Sequence, residues 1–149
     1  MDTAKKGKII SMTILNYGNL LSEMEKYVEA EEQYKKALEL QPDTVRTRYN
    51  YARFLRKTNR FNEAEEQYKR TLEIDPHFLP GLINYGNLLS EMEKYVEAEE
   101  QYKKTLGLQP DTVLTSYNYA RLLFITDRLN EAEEQYKKTL EIAESKNNS

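Results

Sequence analysis

The 149-residue sequence lacks cysteine and tryptophan, and it contains one histidine, five glycines and four prolines. Without cysteine the chain can form no disulfide framework and no thiolate metal site, and it has no thiol nucleophile. The scarcity of glycine and proline, beside abundant Glu, Lys, Leu and Ala, favours helices over turn-rich β structure. A helical protein without disulfides is therefore expected.

A strong excess of one charge is also absent, because 22 basic residues face 25 acidic ones and the net charge is -3. This near balance argues against a nucleic-acid-binding protein. The sequence has no run of about 18 or more apolar residues, so no membrane-spanning helix and no membrane partner are expected. The first ten residues have too short an apolar stretch for a signal peptide, and we predict a cytoplasmic protein.

An internal repeat organises most of the chain. Residues 16–36 and 84–104 share the same 21 letters, "NYGNLLSEMEKYVEAEEQYKK". Residues 11–44 match residues 79–112 at 27 of 34 positions, and residues 45–78 match residues 113–146 at 22 of 34. Four 34-residue repeats are predicted, at residues 11–44, 45–78, 79–112 and 113–146, in a duplicated 68-residue block of natural or engineered origin. We predict a lead-in at residues 1–10, one repeat domain at residues 11–146 and a disordered tail at residues 147–149.

Each repeat carries the apolar spacing of two helices. Position 8 of the repeat is always small, and position 20 is always alanine, which allows facing helices to approach closely. The residues at these two positions are Gly18, Ala52, Gly86, Ala120, Ala30, Ala64, Ala98 and Ala132. Proline at position 32 ends the second helix in three repeats. The fourth repeat has Glu144 there, so its last helix is expected to continue.

This pattern resembles the tetratricopeptide repeat, which has the same period. The resemblance covers residues 11–146 and implies an all-α fold, a right-handed α-solenoid of antiparallel helix pairs. Position 4 departs from the pattern, because Arg48 and Ser116 replace a large apolar residue and predict a weaker first-helix anchor in alternate repeats. Tyrosines at positions 7 and 24 have the spacing of a core stripe, and we interpret them as core residues rather than as a cofactor site.

Catalytic residues are not apparent. His77 is the one histidine and is predicted to lie in a loop, which makes it a poor base or metal ligand by itself. The sequence contains no glycine-rich phosphate loop, no G-x-S-x-G and no H-E-x-x-H motif. We expect a non-enzymatic protein without cofactor or metal.

Asparagine occupies position 6 in all four repeats. Family members bind peptides on the face formed by positions 2, 5, 6, 9, 12 and 13, so the resemblance implies a concave peptide-binding face here. Asparagine is a mediocre helix former, and its amide can both donate to and accept from an extended backbone. The predicted ladder consists of Asn16, Asn50, Asn84 and Asn118. Duplication of a block also copies unused residues, so a purely structural role for the four amides remains open.

Neighbouring positions supply an apolar row and a basic surface on the same face. Position 5 contributes Leu15, Tyr49, Ile83 and Tyr117. Position 9 contributes Asn19, Arg53, Asn87 and Arg121. The second repeat adds Arg46, Arg56 and Lys57. We predict an acidic peptide or a terminal carboxylate as the ligand of these cations, with a solvated basic face as the alternative. The carboxylate clamp of chaperone-binding members is not expected, because Leu15, Pro80 and Asn84 do not match its pattern.

The end of the array suggests a second function. The tail is too short and too polar to add a covering helix, so an apolar stripe on the last helix should be partly exposed. This stripe consists of Leu129, Ala132, Tyr136 and Leu140. The leading hypothesis is a scaffold that binds a protein or peptide, and the alternative is a structural repeat module whose main property is end-to-end self-association into a homo-oligomer.

Overall fold

The computed structural model describes residues 2–147 as eight α-helices, with no strand in that range. Long apolar stripes and few helix breakers within each segment account for the helices. Their bounds are α1 Thr3–Glu23, α2 Tyr27–Leu40, α3 Val45–Lys57, α4 Phe61–Ile74, α5 Leu79–Glu91, α6 Tyr95–Leu108, α7 Val113–Ile125 and α8 Leu129–Asn147.

Consecutive helices pair into four antiparallel hairpins, α1–α2, α3–α4, α5–α6 and α7–α8. The chain divides into two compact units, one extending to Pro76 and the other beginning at His77. Unit 1 contains α1 to α4 and unit 2 contains α5 to α8. The boundary lies close to the junction of the duplicated 68-residue blocks, so each unit corresponds to one block.

Each hairpin turn ends its first helix with the same backbone hydrogen bonds. After α1, the amide of Glu25 donates to the Ser22 carbonyl (3.0 Å) and the amide of Lys26 donates to the Leu21 carbonyl (2.9 Å). This is the Schellman motif, and it recurs after α3, α5 and α7. The motif requires a left-handed residue, and the four residues that adopt it are Glu25 (φ 60°), Asn59 (63°), Glu93 (59°) and Asp127 (61°). The turn is therefore made without glycine.

The helices of a hairpin approach closely at position 8, as the sequence predicted. A Cβ built on Gly18 would lie 3.3 Å from the Tyr34 ring, and one built on Gly86 would lie 2.8 Å from the Tyr102 ring. Ala52 and Ala120 are fully buried at the same position. The two glycines thus allow Tyr34 and Tyr102 of the second helices to lie directly against the first helices.

Six of the eight tyrosines at positions 7 and 24 are buried in the core. Tyr17 is 49% exposed and Tyr136 is also partly exposed. The prediction that all eight are core residues is therefore wrong for these two. They lie on α1 and α8, on faces that no other helix covers within residues 2–147.

The helical region begins before the first repeat and continues to Asn147. Asp2 caps α1, because its carboxylate accepts a hydrogen bond from the Lys5 amide (2.7 Å). Residues 3–10 of the predicted lead-in form the first turns of α1. The continuation of the last helix past Glu144 agrees with the absence of proline there. Residues 148–149 of the predicted disordered tail lie outside the described residues, as does Met1.

Candidate functional site

The asparagines of the predicted ladder have different local partners. The side-chain amide of Asn50 donates to the Arg46 carbonyl (2.7 Å), and that of Asn84 donates to the Pro80 carbonyl (2.8 Å). Both bonds reach four residues back along the same helix, and each uses one of the two N–H donors of its amide. The Asn16 side chain is exposed. The asparagines thus satisfy part of their hydrogen-bonding capacity internally.

The two asparagines at position 9 have a structural role that the sequence reasoning missed. The Tyr34 hydroxyl donates to Oδ1 of Asn19 (2.7 Å), and the Tyr102 hydroxyl donates to Oδ1 of Asn87 (2.9 Å). Asn87 also accepts a hydrogen bond from Nδ2 of Asn118 (3.1 Å). Because a buried hydroxyl needs a partner, Asn19 and Asn87 stabilise the core tyrosines. The equal 15-residue spacing of Asn19 to Tyr34 and of Asn87 to Tyr102 was the signal available in the sequence.

The four residues of the predicted apolar row differ in their exposure. Leu15 is only 2% exposed, so it is a core residue and offers no surface to a ligand. Tyr49 and Ile83 are half-buried, whereas Tyr117 is exposed. The aromatic members on α3 and α7 are therefore accessible, and Leu15 on α1 is not.

Helix α3 presents a basic surface that contains no acidic residue. Arg46 and Arg53 are exposed, and the Arg53 guanidinium carbon lies 5.7 Å from the centroid of the Tyr49 ring. Lys57 is exposed as well, but its ammonium is 3.4 Å from the Ser22 carbonyl and 3.7 Å from the Glu23 carboxylate. Arg56 is half-buried. Arg46 and Arg53 are thus the two predicted cations that point most clearly to a charged ligand.

Helix α7 holds the same positions with mostly apolar side chains. Arg121 remains, and its guanidinium carbon lies 5.7 Å from the Tyr117 ring centroid, as Arg53 does beside Tyr49. Leu114, Phe124 and Ile125 replace Arg46, Arg56 and Lys57, and all three are exposed. The two units therefore share one cation over an aromatic ring and differ in the side chains around it.

A hydrogen-bonded cluster joins neighbouring hairpins in each unit. In unit 2, the Tyr119 hydroxyl donates to Glu99 (2.9 Å), and Arg128 contacts the same carboxylate (2.7 Å) and also Glu131 (2.6 Å). Burial, with a smaller effect of the Glu99 hydrogen bond, raises the pKa of Tyr119 to about 12. The hydrogen bond to Glu131 is the main cause that raises the pKa of Arg128 above its usual range.

Unit 1 contains the equivalent cluster. The Tyr51 hydroxyl donates to Glu31 (2.8 Å), and Arg60 contacts both Glu31 and Glu63 at 2.6 Å. Burial first, and then the Glu31 hydrogen bond, raise the pKa of Tyr51 above its ordinary value. Glu31 and Glu99 act as hydrogen-bond acceptors between hairpins, and Glu63 and Glu131 hold the two arginines from within their own hairpins, which is a structural role.

An apolar groove of about 400 Å³ lies between α7 and α8 in unit 2. The residues that line it are Phe124, Leu129, Ala132, Glu133, Tyr136, Lys137 and Leu140. Leu129 is 56% exposed and Leu140 is 61% exposed, whereas Ala132 is buried at the floor of the groove. The stripe predicted for self-association thus forms one side of an open groove.

Residues 2–147 contain no group of three or more His, Asp or Glu side chains placed to hold a metal ion. His77 is exposed in the segment between α4 and α5. Among the same residues, no helix is both long and apolar enough to cross a membrane.

The paired helices, the small residue at position 8 and the 34-residue period are together typical of one family. Its sequence profile, described as tetratricopeptide repeat, matches residues 10–77 and 81–145. The chain belongs to the tetratricopeptide repeat family. Tetratricopeptide repeat (TPR) proteins are scaffolds that bind protein partners and are generally not enzymes, so a protein-interaction role applies to this chain at that level.

Solved TPR structures superimpose closely on the chain. A crystal structure of MamA has a TM-score of 0.87 at 19% identity, covering 93% of this chain and 81% of that one. MamA from Desulfovibrio magneticus RS-1, in a form from residue 41 to the end, has a TM-score of 0.82 at 18% identity and covers 91% and 76%. PilF of Pseudomonas aeruginosa has a TM-score of 0.80 at 21% identity and covers 92% and 63%. These similarities confirm the predicted all-α solenoid class.

The search among curated proteins found no match by sequence. The solved structures therefore show the fold of the chain, and the family match shows its general role as a protein-interaction scaffold.

Proposed function

We propose that the chain is a non-enzymatic scaffold that binds an extended acidic peptide on the α3 surface of unit 1. The observation that carries this proposal is the pair of exposed cations, Arg46 and Arg53, on a helix with no acidic residue. Seven residues of helix span about 10 Å, which is roughly the length of three extended peptide residues. Two carboxylates about three residues apart can therefore each reach one guanidinium.

Side chains beside the two arginines fit the rest of such a ligand. Arg53 already lies over the Tyr49 ring, which orients its guanidinium for charge-assisted hydrogen bonds. The Asn50 amide nitrogen donates within α3, so its carbonyl oxygen is the group that would accept a peptide N–H. The surface thus offers charge recognition at two points and a backbone contact between them.

In unit 2 the corresponding surface favours a different ligand segment. Leu114 and Phe124 are exposed where unit 1 has Arg46 and Arg56. We assign this α7 surface to apolar side chains of a peptide, with Arg121 beside Tyr117 providing one charged contact. Each surface is considered within its own unit.

A random peptide library displayed against the full chain tests the proposal. We expect peptides selected by the unmodified chain to be enriched in Asp and Glu, and an R46E/R53E variant to lose that enrichment. The matched control is K36E/K69E, which makes the same charge change at exposed positions on α2 and α4. Because two charge-assisted contacts are lost, selected peptides should bind R46E/R53E at least about tenfold more weakly than the control.

Two results would overturn the acidic-peptide proposal. One is selection of peptides without acidic enrichment by the unmodified chain. The other is equal affinity of the selected peptides for R46E/R53E and K36E/K69E, measured by fluorescence anisotropy. An additional N50A variant tests the proposed backbone contact, and a roughly threefold loss of affinity is expected for one neutral hydrogen bond.

A further inference from the structure

The contact between neighbouring hairpins in unit 1 has a defined set of residues on each side. The α2 side provides Tyr34 and Glu31, and the α3–α4 side provides Tyr51, Phe54 and Arg60. The Tyr34 ring lies 5.6 Å from the Tyr51 ring, in a stacked arrangement, and 5.1 Å from the Phe54 ring. Glu31 accepts from the Tyr51 hydroxyl and pairs with Arg60. We call this arrangement the hairpin interface.

Unit 2 contains a second hairpin interface between α6 and α7. Tyr119 and Arg128 contact Glu99 there in the same way that Tyr51 and Arg60 contact Glu31. Two occurrences in one chain show that the arrangement follows from the repeat positions and not from one local sequence. The residues at those positions can therefore be compared elsewhere in the chain.

Helix α8 presents the second-helix half of a hairpin interface, and no other helix among residues 2–147 covers it. Tyr136 stands at the position of Tyr34, and Glu133 stands at the position of Glu31. Both line the 400 Å³ groove, together with the exposed Leu140. Tyr34 is only 2% exposed, whereas Tyr136 is partly exposed. The groove is thus a hairpin interface with one half missing.

Helix α1 presents the complementary half. Tyr17 stands at the position of Tyr51, and it is 49% exposed. Leu20, at the position of Phe54, is 55% exposed, and Met24 one turn later is also exposed. Lys26 stands at the position of Arg60 and supplies the same charge. The apolar stripe and the cation needed to cover α8 are therefore both present on the same chain.

We propose that a second copy of this chain covers the groove, with its α1 docked on α8 through a third, intermolecular hairpin interface. Tyr17 of one copy stacks on Tyr136 of the other, and Leu20 enters the groove where Phe54 packs on Tyr34. The Tyr17 hydroxyl and the Lys26 ammonium then reach the Glu133 carboxylate. This pairing repeats the tyrosine, carboxylate and cation arrangement found inside both units.

The start of α1 and the end of α8, which would meet in this arrangement, carry mostly opposite charges. Inside unit 1, the end of a second helix lies beside the start of the next first helix, because only residues 41–44 connect α2 with α3. In the intermolecular arrangement the end of α8 lies beside the start of α1. Residues 3–10 carry three lysines and no acidic residue, whereas α8 exposes Glu141 and Glu144 near its end, and the one lysine there, Lys146, is paired with Asp111 (3.8 Å). Their attraction favours this occupant of the groove.

The arrangement is heterologous, because a different surface is used on each copy. Each bound copy keeps one unused α1 face or one unused groove, so association continues into open chains whose length rises with concentration. The groove is separate from the acidic-peptide surface on α3 and shares only Phe124 with the α7 surface, so the acidic-peptide proposal and this one can fail independently.

Two blocking variants test the direction of association by sedimentation velocity. L20D places a charge on the α1 face, and L140D places a charge in the groove. Because a carboxylate is costly in an apolar contact, we expect each variant alone to associate roughly a hundredfold more weakly than the unmodified chain. A mixture of the two should form one heterodimer, of twice the 17.6 kDa monomer mass, and no longer chain.

Matched controls separate the interface from a general effect of added charge. V28D and V96D change exposed valines outside both faces, and they should associate like the unmodified chain. Exchanging the charges of Lys26 and Glu133 tests their contact directly. K26E and E133K should each weaken association several-fold, and the K26E/E133K double variant should recover most of the lost affinity. Circular dichroism checks that all variants keep their helical content.

Other outcomes overturn the proposal. A monomer mass for the unmodified chain up to about 1 mM would do so. The mixture of L20D and L140D could fail to form a heterodimer while L140D alone associates like the unmodified chain. This result would instead indicate a symmetric contact between two α1 faces. Loss of association in V28D and V96D, or no recovery in the charge-exchanged double variant, would contradict the assigned contacts.

Discussion

Unit 1 and unit 2 share their internal hydrogen bonds and differ in the surfaces of α3 and α7. The tyrosine–glutamate–arginine cluster is the same in both, and so is the bond from Tyr34 or Tyr102 to an asparagine. The surface changes are larger, because α3 carries Arg46 where α7 carries Leu114. Contacts that join the helices thus persist in both copies, and the differences lie on the surfaces to which we assign different ligand segments.

Position 4 of the repeat faces the core, and the two units differ in the side chain that they place there. Arg48 is half-buried, and its guanidinium donates to Gln67 Oε1 (3.0 Å) and to the Pro42 carbonyl (3.1 Å). Ser116 is fully buried, shares a 2.6 Å hydrogen bond with Thr139 and accepts one from Gln135 (2.8 Å). A long side chain reaches the edge of the hairpin in unit 1, and a short one completes a buried network in unit 2.

The largest difference between the units is expected from removing these two side chains. S116A should lower the free energy of unfolding by about 2 kcal/mol, because it leaves buried polar groups without their partner. R48A should cost less than about 1 kcal/mol, because water can replace the contacts of a half-exposed guanidinium. Urea unfolding of both variants measures this. Equal costs would contradict the larger stabilisation that we assign to the buried network in unit 2.

A smaller difference is expected at the close helix contacts. G86A should be about 1 kcal/mol less stable than G18A, because its Cβ would meet the Tyr102 ring at 2.8 Å whereas that of G18A meets Tyr34 at 3.3 Å. Both variants gain helix propensity by a similar amount, so their difference isolates the packing cost. Thermal unfolding of the pair tests this, and a less stable G18A would contradict the contact geometry.

The smallest difference between the two units is expected for the loss of stability in alkaline solution, where they should behave alike. Burial raises the pKa of Tyr34 in unit 1, and of Tyr119 in unit 2, to about 12 from the ordinary value of 10.0. The folded state keeps the phenol proton that the unfolded state releases, so the stabilisation is complete below pH 10 and is lost as the pH rises toward 12. Between pH 9 and pH 11.5, the midpoint of urea unfolding should fall less for Y34F and for Y119F than for the unmodified chain. Identical declines in all three would contradict the shifted pKa values.

The sequence alone was sufficient for the fold class, the family and the close approach at Gly18 and Gly86. These features depend on a period and on side-chain size, and both can be read directly from the letters. It was harder to predict which core positions are exposed because no neighbouring hairpin covers them. Tyr17 and Tyr51 occupy the same repeat position, but only Tyr51 has a preceding hairpin within its unit. Exposure at the ends therefore had to come from the structure.

The candidate site was predicted less completely than the fold. Arg46 and Arg53 are exposed as expected, but Leu15 lies in the core and Asn19 serves a buried tyrosine. A resemblance assigns a face to each position, and a helix rotated slightly in its hairpin moves a position at the edge of that face into the core. Side-chain partners such as Tyr34 and Asn19 depend on distances that the spacing of letters does not specify.

The short reach of the contacts has a consequence for how the chain acquires its structure. Side-chain hydrogen bonds between helices connect residues close in sequence, such as Tyr34 and Asn19, 15 residues apart, and Lys57 and Ser22, 35 residues apart. Chains with such local contacts close only small loops during folding and fold rapidly. The contacts between α1 and α2, such as Tyr34–Asn19, are complete once residue 40 has left the ribosome, whereas Glu31 meets Tyr51 and Arg60 only after the next hairpin has been synthesised.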